Sequence, residues 1–449
     1  MSKKRILLLS PSNPVGERNV LPPLGLCTVA AYIPEGYELT LIDESFNAIN
    51  YDTDLAMISS NSITIRRAYE LCAEFKKRGI PTILGGIHAS LMTEEAMKHA
   101  DSVVVGNGEE IIPEIIKDFE NNSLKPSYHP PVFDIAKSKV PRRDILSPQY
   151  KYDLIETARG CPFDCEFCSV TLMNGKKYRY KPIDVVRKDL QSITRKKIVL
   201  ADDNFFGYGS KAEPRATQLM ELLKEFDFTW FGQTSMNIAE YPNILRLARE
   251  SGADAFYIGF ESINEDFLKS VGKSINLKKG IGYYKEAVRK IHDQGITIMG
   301  SFMIGSDYDT AESLEKLKEF IVETQIDTAM VKPISPLPGT KFYQKMKDDK
   351  RFFNEQFWLE DPYPLFTFQP KKISMEDLFT ASYNFLKIRK PIRNVGSFLR
   401  SYKNTGNLSG SALNLITNTG DYISHTKYMR KCIEEHHRKY SSPPAVISK

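Results

Sequence analysis

Short apolar runs, each closed by glycine or small polar residues, alternate with helix-spaced segments along most of this chain. That alternation constrains the fold most, because short strands separated by helices pair as parallel sheets. Five such runs fall at 5–10, 37–43, 54–59, 81–84 and 102–105. Helix-like segments at 24–33, 64–78, 94–99 and 110–119 lie among them. Together they predict an α/β N-terminal domain built on a doubly wound parallel sheet. In such sheets the ligand sits at the carboxyl ends of the strands. Those ends carry Ser10-Pro11-Ser12-Asn13, Asp43-Glu44, Ser59-Ser60-Asn61, Gly85-Gly86-Ile87-His88 and Gly106-Asn107-Gly108-Glu109. They are small, polar and glycine-rich, which suits close backbone approach to a large cofactor.

Asn121-Asn122-Ser123 and the prolines Pro126, Pro130, Pro131 and Pro141 break regular structure and mark a linker. A second series of strand-like runs follows at 154–157, 198–201, 228–234, 255–260, 297–302 and 328–333. Helix-like stretches at 183–193, 215–225, 243–251, 281–294 and 311–323 separate them, which predicts a partial (β/α)6 barrel of the TIM type. Beyond 346 the pattern weakens. An aromatic, proline-containing stretch covers 358–368, and a helix-like segment covers 375–388, with Pro391 expected to end it. A Ser/Asn/Gly/Thr-rich stretch covers 401–420, and a basic tail follows Thr426 and frays through Ser441-Ser442-Pro443-Pro444. The expected domains are 1–125, a linker 126–150, a barrel 151–345, and a mainly helical region 346–449 that shapes the substrate pocket. The length of 449 residues agrees with about three domains.

Composition narrows the class. Charged residues make up 26% and hydrophobic ones 41%, which excludes a disordered chain or a multi-span membrane protein. The basic excess of 61 over 56 is small and diffuse, so no nucleic-acid partner is expected. The apolar run after the basic start is too short for a signal peptide, and no run is long enough for a transmembrane helix. A cytoplasmic location is expected, with at most weak peripheral membrane contact through the basic tail.

Six cysteines are too few for a disulfide scaffold, and they are unevenly spread. Cys27, Cys72 and Cys432 stand alone and read as small core or surface residues. Cys161, Cys165 and Cys168 form C-x3-C-x2-C directly after a strand. Thiolates are the ligands of iron–sulfur clusters, and three of them leave one iron of a cubane open. A structural zinc site would want a fourth ligand, and no second CxxC or nearby histidine supplies one. A second cluster would need more cysteines than remain.

At these residues the chain resembles the radical S-adenosylmethionine (SAM) enzymes. The front domain is similar to their cobalamin (B12)-binding subgroup, so the resemblance spans roughly residues 1–345. It rests on the three cysteines with Phe167 before the last, on Ala201-Asp202-Asp203-Asn204-Phe205 and on Gly259-Phe260-Glu261-Ser262. The glycine-containing strand 300–305, Pro336-Leu337-Pro338-Gly339-Thr340 and Arg179 in Tyr178-Arg179-Tyr180-Lys181 add to it. In the front domain it rests on Leu21-Pro22-Pro23-Leu24-Gly25-Leu26, Leu41-Ile42-Asp43-Glu44, the 85–90 segment and the 106–109 segment.

The resemblance implies a [4Fe-4S] cluster on Cys161, Cys165 and Cys168, with SAM chelated at the open iron. It implies SAM contacts from Phe167, Asp202, Gly259, Glu261, Ser262, Gly300 and Pro336. It further implies cobalamin contacts from Ser10, Pro23, Gly25, Ser59, Ser60, Asn61, Gly85, Gly86, His88, Gly106, Gly108 and Glu109. One departure matters: the D-x-H-x-x-G motif of other cobalamin folds is absent from the loop 10–16, so no histidine there would replace the lower axial base. His88 can line the site or serve as a hydrogen-bonded turn residue.

The implied activity is C-methylation of an unactivated carbon of a small or lipid-like molecule. It would proceed through a 5′-deoxyadenosyl radical and methylcobalamin, with a flavodoxin or ferredoxin supplying electrons. A non-methylating cyclase or ring-rearranging enzyme of the same subgroup is the alternative, and a non-catalytic redox or cobalamin-carrier module is another. The aromatic run from Phe352 to Phe368 would either contact an apolar substrate or pack as a core.

Overall fold

The computed structural model describes residues 3–14, 19–389 and 391–440. Val15 and Gly16 of the loop 10–16, and the segment Ser441–Pro444, lie outside the described residues. The chain divides into two compact units, Met1–Asp164 with Cys168–Ala253 and Leu337–Thr340, and Cys165–Phe167 with Asp254–Pro336 and Lys341–Lys449.

The first unit opens with six parallel strands: β1 (Arg5–Ser10), β2 (Glu38–Asp43), β3 (Leu55–Ser59), β4 (Thr82–Gly85), β5 (Ser102–Val104) and β6 (Ser127–Tyr128). Their spatial order is β2-β1-β3-β4-β5-β6. Order reverses beside β1, and such a switch point is where doubly wound sheets bind ligands. Ile6, Leu8, Leu55, Met57 and Ile83 are buried against Leu26, Cys27, Ile112, Ile115 and Ile116 of the covering helices. Cys27 and Cys72 are buried, as expected of small hydrophobes.

The stretch expected as a linker is ordered. It contributes β6, whose Tyr128 hydroxyl donates to Asp118 at 2.8 Å. It also contributes Arg143, buried where its guanidinium meets Asp153 at 3.0 Å and Asp189 at 2.6 Å. Prolines broke the periodicity that reveals strands and helices, while side chains anchored the segment.

The same unit then carries β7 (Asp153–Ile155), β8 (Ala158–Arg159), β9 (Arg179–Tyr180), β10 (Lys197–Leu200) and β11 (Thr229–Thr234). Strands β7, β10 and β11 pair in parallel. Strands β8 and β9 form a short antiparallel ribbon that the sequence pattern did not reveal.

The second unit carries β12 (Ala253–Glu261), β13 (Thr297–Ile304) and β14 (Thr328–Pro333), all parallel. The helix Ala311–Glu323 starts on a capping box in which Thr310 and Ser313 satisfy each other's backbone amides. The aromatic run packs as a core. Phe357 and Trp358 are buried, and Phe368 joins Phe267, Phe342 and Met346. Part of this region covers the carboxyl ends of the strands: Tyr363 reaches Ser335 just after β14, and Phe366 stands where a Cβ on Gly305, after β13, would fall.

The helix Met375–Ile388 ends before Pro391, as expected, and Pro391 opens a further helix, Pro391–Thr405. Helix Leu408–Tyr440 follows. The Ser/Asn-rich 401–420 stretch is therefore largely helical. Its Asn407 donates to Asp254 O at 3.2 Å and Gly295 O at 3.0 Å, and Asn418 donates to Asp327 O at 3.0 Å. These carbonyls lie at the amino ends of β12, β13 and β14. This part of the C-terminal region thus stands at the opposite end of the strands from the one expected to face substrate.

Candidate functional site

The cysteine loop is built from its foundations upward. Ala158 and Arg159 pair with Tyr180 and Arg179, which closes the base of the loop. Gly160 follows at φ +95°, and a Cβ there would fall 2.3 Å from Lys177 O. Only glycine fits immediately before Cys161, and the Cys161 amide then donates to Gly175 O at 3.3 Å. Arg179 donates to Phe133 O at 2.6 Å and Asn174 O at 3.0 Å, tying the ordered linker to the loop. Cys161 and Cys168 are half-buried and Cys165 is buried.

The acidic pair after β10 lies beneath this loop. Asp202 accepts from Thr157 N and Thr157 Oγ1, both at 2.5 Å, and from Ala158 N at 3.0 Å. Burial pushes its carboxyl up to about 6 against the opposing pull of those donors. Asp203 accepts from Gly160 N at 3.2 Å and Asn174 Nδ2 at 3.1 Å, and burial raises it too. Asp202 was expected to contact SAM. Both of its oxygens are engaged by the chain leading into the loop, which they hold in place. Asp203 and Asn174 were not singled out from the sequence, although the doubled acid was the available signal.

A cleft of about 310 Å³ opens at the carboxyl edge of the front sheet, within the size range of ligand sites. Of the expected cobalamin residues, Gly25, Ser59, Gly85, Gly86, Gly106, Gly108 and Glu109 line it. Nothing lies within 4 Å of where a Cβ would stand on Gly25 or Gly106, so the backbone there is open to a large ligand. Ser10, Pro23, Ser60, Asn61 and His88 do not line it. Ser60 Oγ is held by Thr64 Oγ1 at 2.9 Å, and the Asn61 side chain accepts from Ile63 N at 2.9 Å in a local turn. His88 is wholly buried between Ser62 Oγ at 2.9 Å and Glu95 Oε1 at 3.3 Å. It is a packed turn residue, the second of its two readings.

The cleft also takes in Glu156, Arg159 and Asn174 from the cysteine-loop side of the unit. Arg159 bridges Glu109 and Glu156, each at 2.6 Å, and Lys181 reaches Glu156 at 3.4 Å. Burial would raise the Glu156 carboxyl, but Arg159 and Lys181 outweigh it and hold the group low. Arg159 Nη1 is buried without a hydrogen-bond partner. An orphaned cationic donor in a cleft edged by open glycines fits a ligand rich in carbonyl and phosphate oxygens, which is the chemistry of cobalamin's periphery.

In the second unit, Glu166 N donates to Val271 O at 2.9 Å, and Phe167 packs beside Phe267 and Phe342. Glu261 ends β12 at φ +63°, an uncommon conformation for glutamate that marks a functional candidate. Lys273 Nζ donates to its Oε1 at 2.7 Å. A Cβ on Gly259 would fall 2.3 Å from that carboxylate, so glycine makes its room. Ser262 Oγ accepts from Asn264 N at 3.0 Å, and Asn276 holds the carbonyls of Gly259 and Phe260 at 3.0 and 2.8 Å. Gly259, Glu261 and Ser262 are therefore held as one group, by residues the sequence had not flagged. Gly300 gives space to Phe260 and Ile326, and Pro336 is buried beyond β14.

Among the described residues, no group of three His, Cys, Asp or Glu side chains is gathered around a single-ion position. A cubane asks for a different arrangement, one thiolate at each of three separate corners, and the donor set of C-x3-C-x2-C suits it.

Two family profiles match the chain, the radical SAM superfamily over residues 155–321 and the B12-binding domain over residues 18–116. The fold and its matches thus define a B12-binding radical SAM enzyme. The chain is 30% identical over 349 residues to bacteriochlorophyllide d C-8(2)-methyltransferase of Chlorobaculum tepidum, covering 72% of this chain and 76% of that one. It is 28% identical over 418 residues to bacteriochlorophyllide d C-12(1)-methyltransferase of the same organism, covering 87% and 88%. The structure of the cobalamin-dependent SAM radical enzyme OxsB with aqua-cobalamin bound superposes with a TM-score of 0.67 at 14% identity, covering 99% of this chain and 82% of that one. That likeness shows the shared fold. The chain belongs to the cobalamin-binding radical SAM family. Its cofactors are a [4Fe-4S] cluster, SAM and cobalamin.

Proposed function

We propose that this enzyme adds a methyl group to an unactivated carbon on the periphery of a tetrapyrrole-like small molecule. The carrying observation is the Arg159 bridge. It joins Glu109, on a glycine-rich loop of the cleft, to the residue two positions before Cys161. The two relatives named above, both methyltransferases of bacteriochlorophyllide, support the substrate class. When bound, the cluster with SAM supplies hydrogen abstraction and cobalamin supplies the methyl group.

The chain's own part is to hold and align. Cys161, Cys165 and Cys168 supply the three thiolates. Asp202 and Asp203 fix the backbone that enters their loop. Phe167, Gly259, Glu261 and Ser262 are the SAM-facing candidates, with Lys273 keeping the Glu261 carboxylate oriented. Gly25, Ser59, Gly85, Gly86, Gly106, Gly108 and Glu109, which line the cleft, would hold cobalamin, and Arg159 would offer its unpaired donor to the polar groups of that ligand. A flavodoxin or ferredoxin delivers electrons, and the enzyme works in the cytoplasm. The functional regions are 1–125 for cobalamin, 126–150 joining it to the barrel, 151–345 for the barrel, and 346–449 as the C-terminal region.

The test is turnover of SAM by anaerobically reconstituted protein with cobalamin and a bacteriochlorophyllide. Methyl transfer yields both S-adenosylhomocysteine and 5′-deoxyadenosine with a product one methylene heavier. 5′-Deoxyadenosine alone would point to the cyclase or ring-rearranging reading. No SAM cleavage, with retained function after Cys165→Ala, would point to a carrier module.

A further inference from the structure

The C-terminal helix pair is inside out. In Pro391–Thr405, the connection through Asn407 and the first half of Leu408–Tyr440, the inward positions are polar. Asn394, Ser401, Asn407, Ser411, Asn414 and Asn418 are each 4% exposed or less. Their bonds run inward, with Ser411 Oγ to Ser401 Oγ at 3.0 Å, Thr328 Oγ1 to Asn414 Oδ1 at 2.7 Å and Asn394 Nδ2 to Thr419 Oγ1 at 3.1 Å. A Cβ on Gly410 would fall 2.5 Å from Asp254 O, so the second helix lies against the backbone entering β12.

The outward positions are apolar. Val395, Leu399, Tyr402, Leu408, Ile416 and Ile423 are between 47% and 69% exposed. Spacings of four, three, eight and seven residues keep the members from each helix on one face. A helix in water normally arranges these two faces the other way round, and large exposed apolar patches mark interaction surfaces.

Charge identifies the occupant. From 391 to 420 the chain has three basic residues, Arg393, Arg400 and Lys403, and no acidic one. Lys427 and Arg430 continue the series, with Asp421 the single acid before Glu434. Arg393, Lys403, Lys427 and Arg430 are exposed. An isologous pairing of two copies through this face would set cations against cations, which is unfavourable. Among the described residues no helix is long and apolar enough to cross a membrane. An apolar stripe flanked by cations, on helices that do not span, is the pattern of interfacial binding to anionic lipid.

We propose that this face docks on an anionic bilayer surface, with the six apolar side chains inserted at the headgroup level. The full-length protein is tested by flotation with vesicles of phosphatidylcholine alone and of equal parts phosphatidylcholine and phosphatidylglycerol. It is expected to float with the anionic vesicles at low salt and to stay at the bottom with the neutral ones. Leu399→Glu with Ile416→Glu is expected to abolish flotation. Should that variant misfold, Arg393→Gln with Arg400→Gln and Lys403→Gln removes only charge and is expected to weaken partitioning about fivefold per residue, on the order of a hundredfold in all. Wild-type protein that ignores anionic vesicles would overturn the proposal. So would a dimer, seen by light scattering, that Leu399→Glu splits, because it would assign the face to a second copy.

Discussion

Asp202→Asn separates two roles that the sequence alone assigns to this carboxylate. If Asp202 holds the chain leading into the cysteine loop, asparagine can do the same work. Its Oδ1 accepts from Thr157 N and Ala158 N as now, and its Nδ2 can donate to Thr157 Oγ1, a hydroxyl that accepts as readily as it donates. What changes is the charge. Burial raises the Asp202 carboxyl from 3.8 to about 6, so the folded state binds its proton more tightly than the unfolded chain does. For an acid raised in this way, stability is fully present below about pH 4 and falls as pH rises through about 6. A shift of about two units is worth about 3 kcal/mol above that window. Asparagine escapes this penalty, and the raised value is already net of the pull of those donors. The variant should therefore be more stable than wild type by about 3 kcal/mol at pH 7.5, with the difference vanishing near pH 4. Denaturant melts at both pH values measure it. Asp202→Ala strands the Thr157 and Ala158 amides and should lose about 2–4 kcal/mol. SAM cleavage by the asparagine variant should stay within about threefold of wild type. A large loss of SAM affinity in Asp202→Asn, with folding intact, would mean that the charge itself meets the ligand, and the positioning argument would fail.

Arg159→Lys keeps a cation but loses the fork that serves both Glu109 and Glu156, leaving one buried carboxylate without its partner. It should destabilise by about 3 kcal/mol and weaken hydroxocobalamin binding in a spectral titration, while iron loading stays near wild type. Gly160→Ala forces a Cβ to 2.3 Å from Lys177 O at a left-handed φ, and should lower iron content after reconstitution even if the rest of the chain stays folded. Lys273→Met strands the nearly buried Glu261 carboxylate, and SAM affinity by calorimetry should drop tenfold or more with cobalamin binding unchanged.

Parallel strands declared themselves because each is a short apolar run ended by glycine or a small polar residue, and that signal is local. The cysteine loop was equally legible, since a C-x3-C-x2-C spacing is a pattern in one dimension. Long-range pairings were not. Nothing near Glu109 in the chain announces Arg159, and nothing near Glu261 separates Lys273 from any other lysine on the surface. Asp202 was visible as an acid at a strand end, but which partner satisfies its oxygens is decided by the β8–β9 ribbon, whose two-residue strands are too short to leave a period.

The C-terminal helices show the deeper limit. Reading hydrophobic periodicity assumes that the apolar face is the buried one. In Pro391–Thr405 and the start of Leu408–Tyr440 that assumption is reversed, with asparagine and serine turned toward the strands and leucine, isoleucine and tyrosine turned outward. A run such as Asn407–Asn418 then reads as a polar loop, when Asn407 and Asn418 are in fact hydrogen-bonded to the backbone at the start of β12 and just ahead of β14. The inversion carries its own energetic argument. Each exposed leucine or isoleucine forgoes about 1.5–3 kcal/mol of burial, and each buried asparagine must be fully bonded to avoid a comparable cost. Asn394 and Asn418 each keep an unbonded buried oxygen, so the inward face is not compensated within the fold alone. A bilayer that takes up the outward face would supply the missing apolar burial. Binding should then stabilise these helices, and amide exchange across 391–420 should slow when anionic vesicles are added.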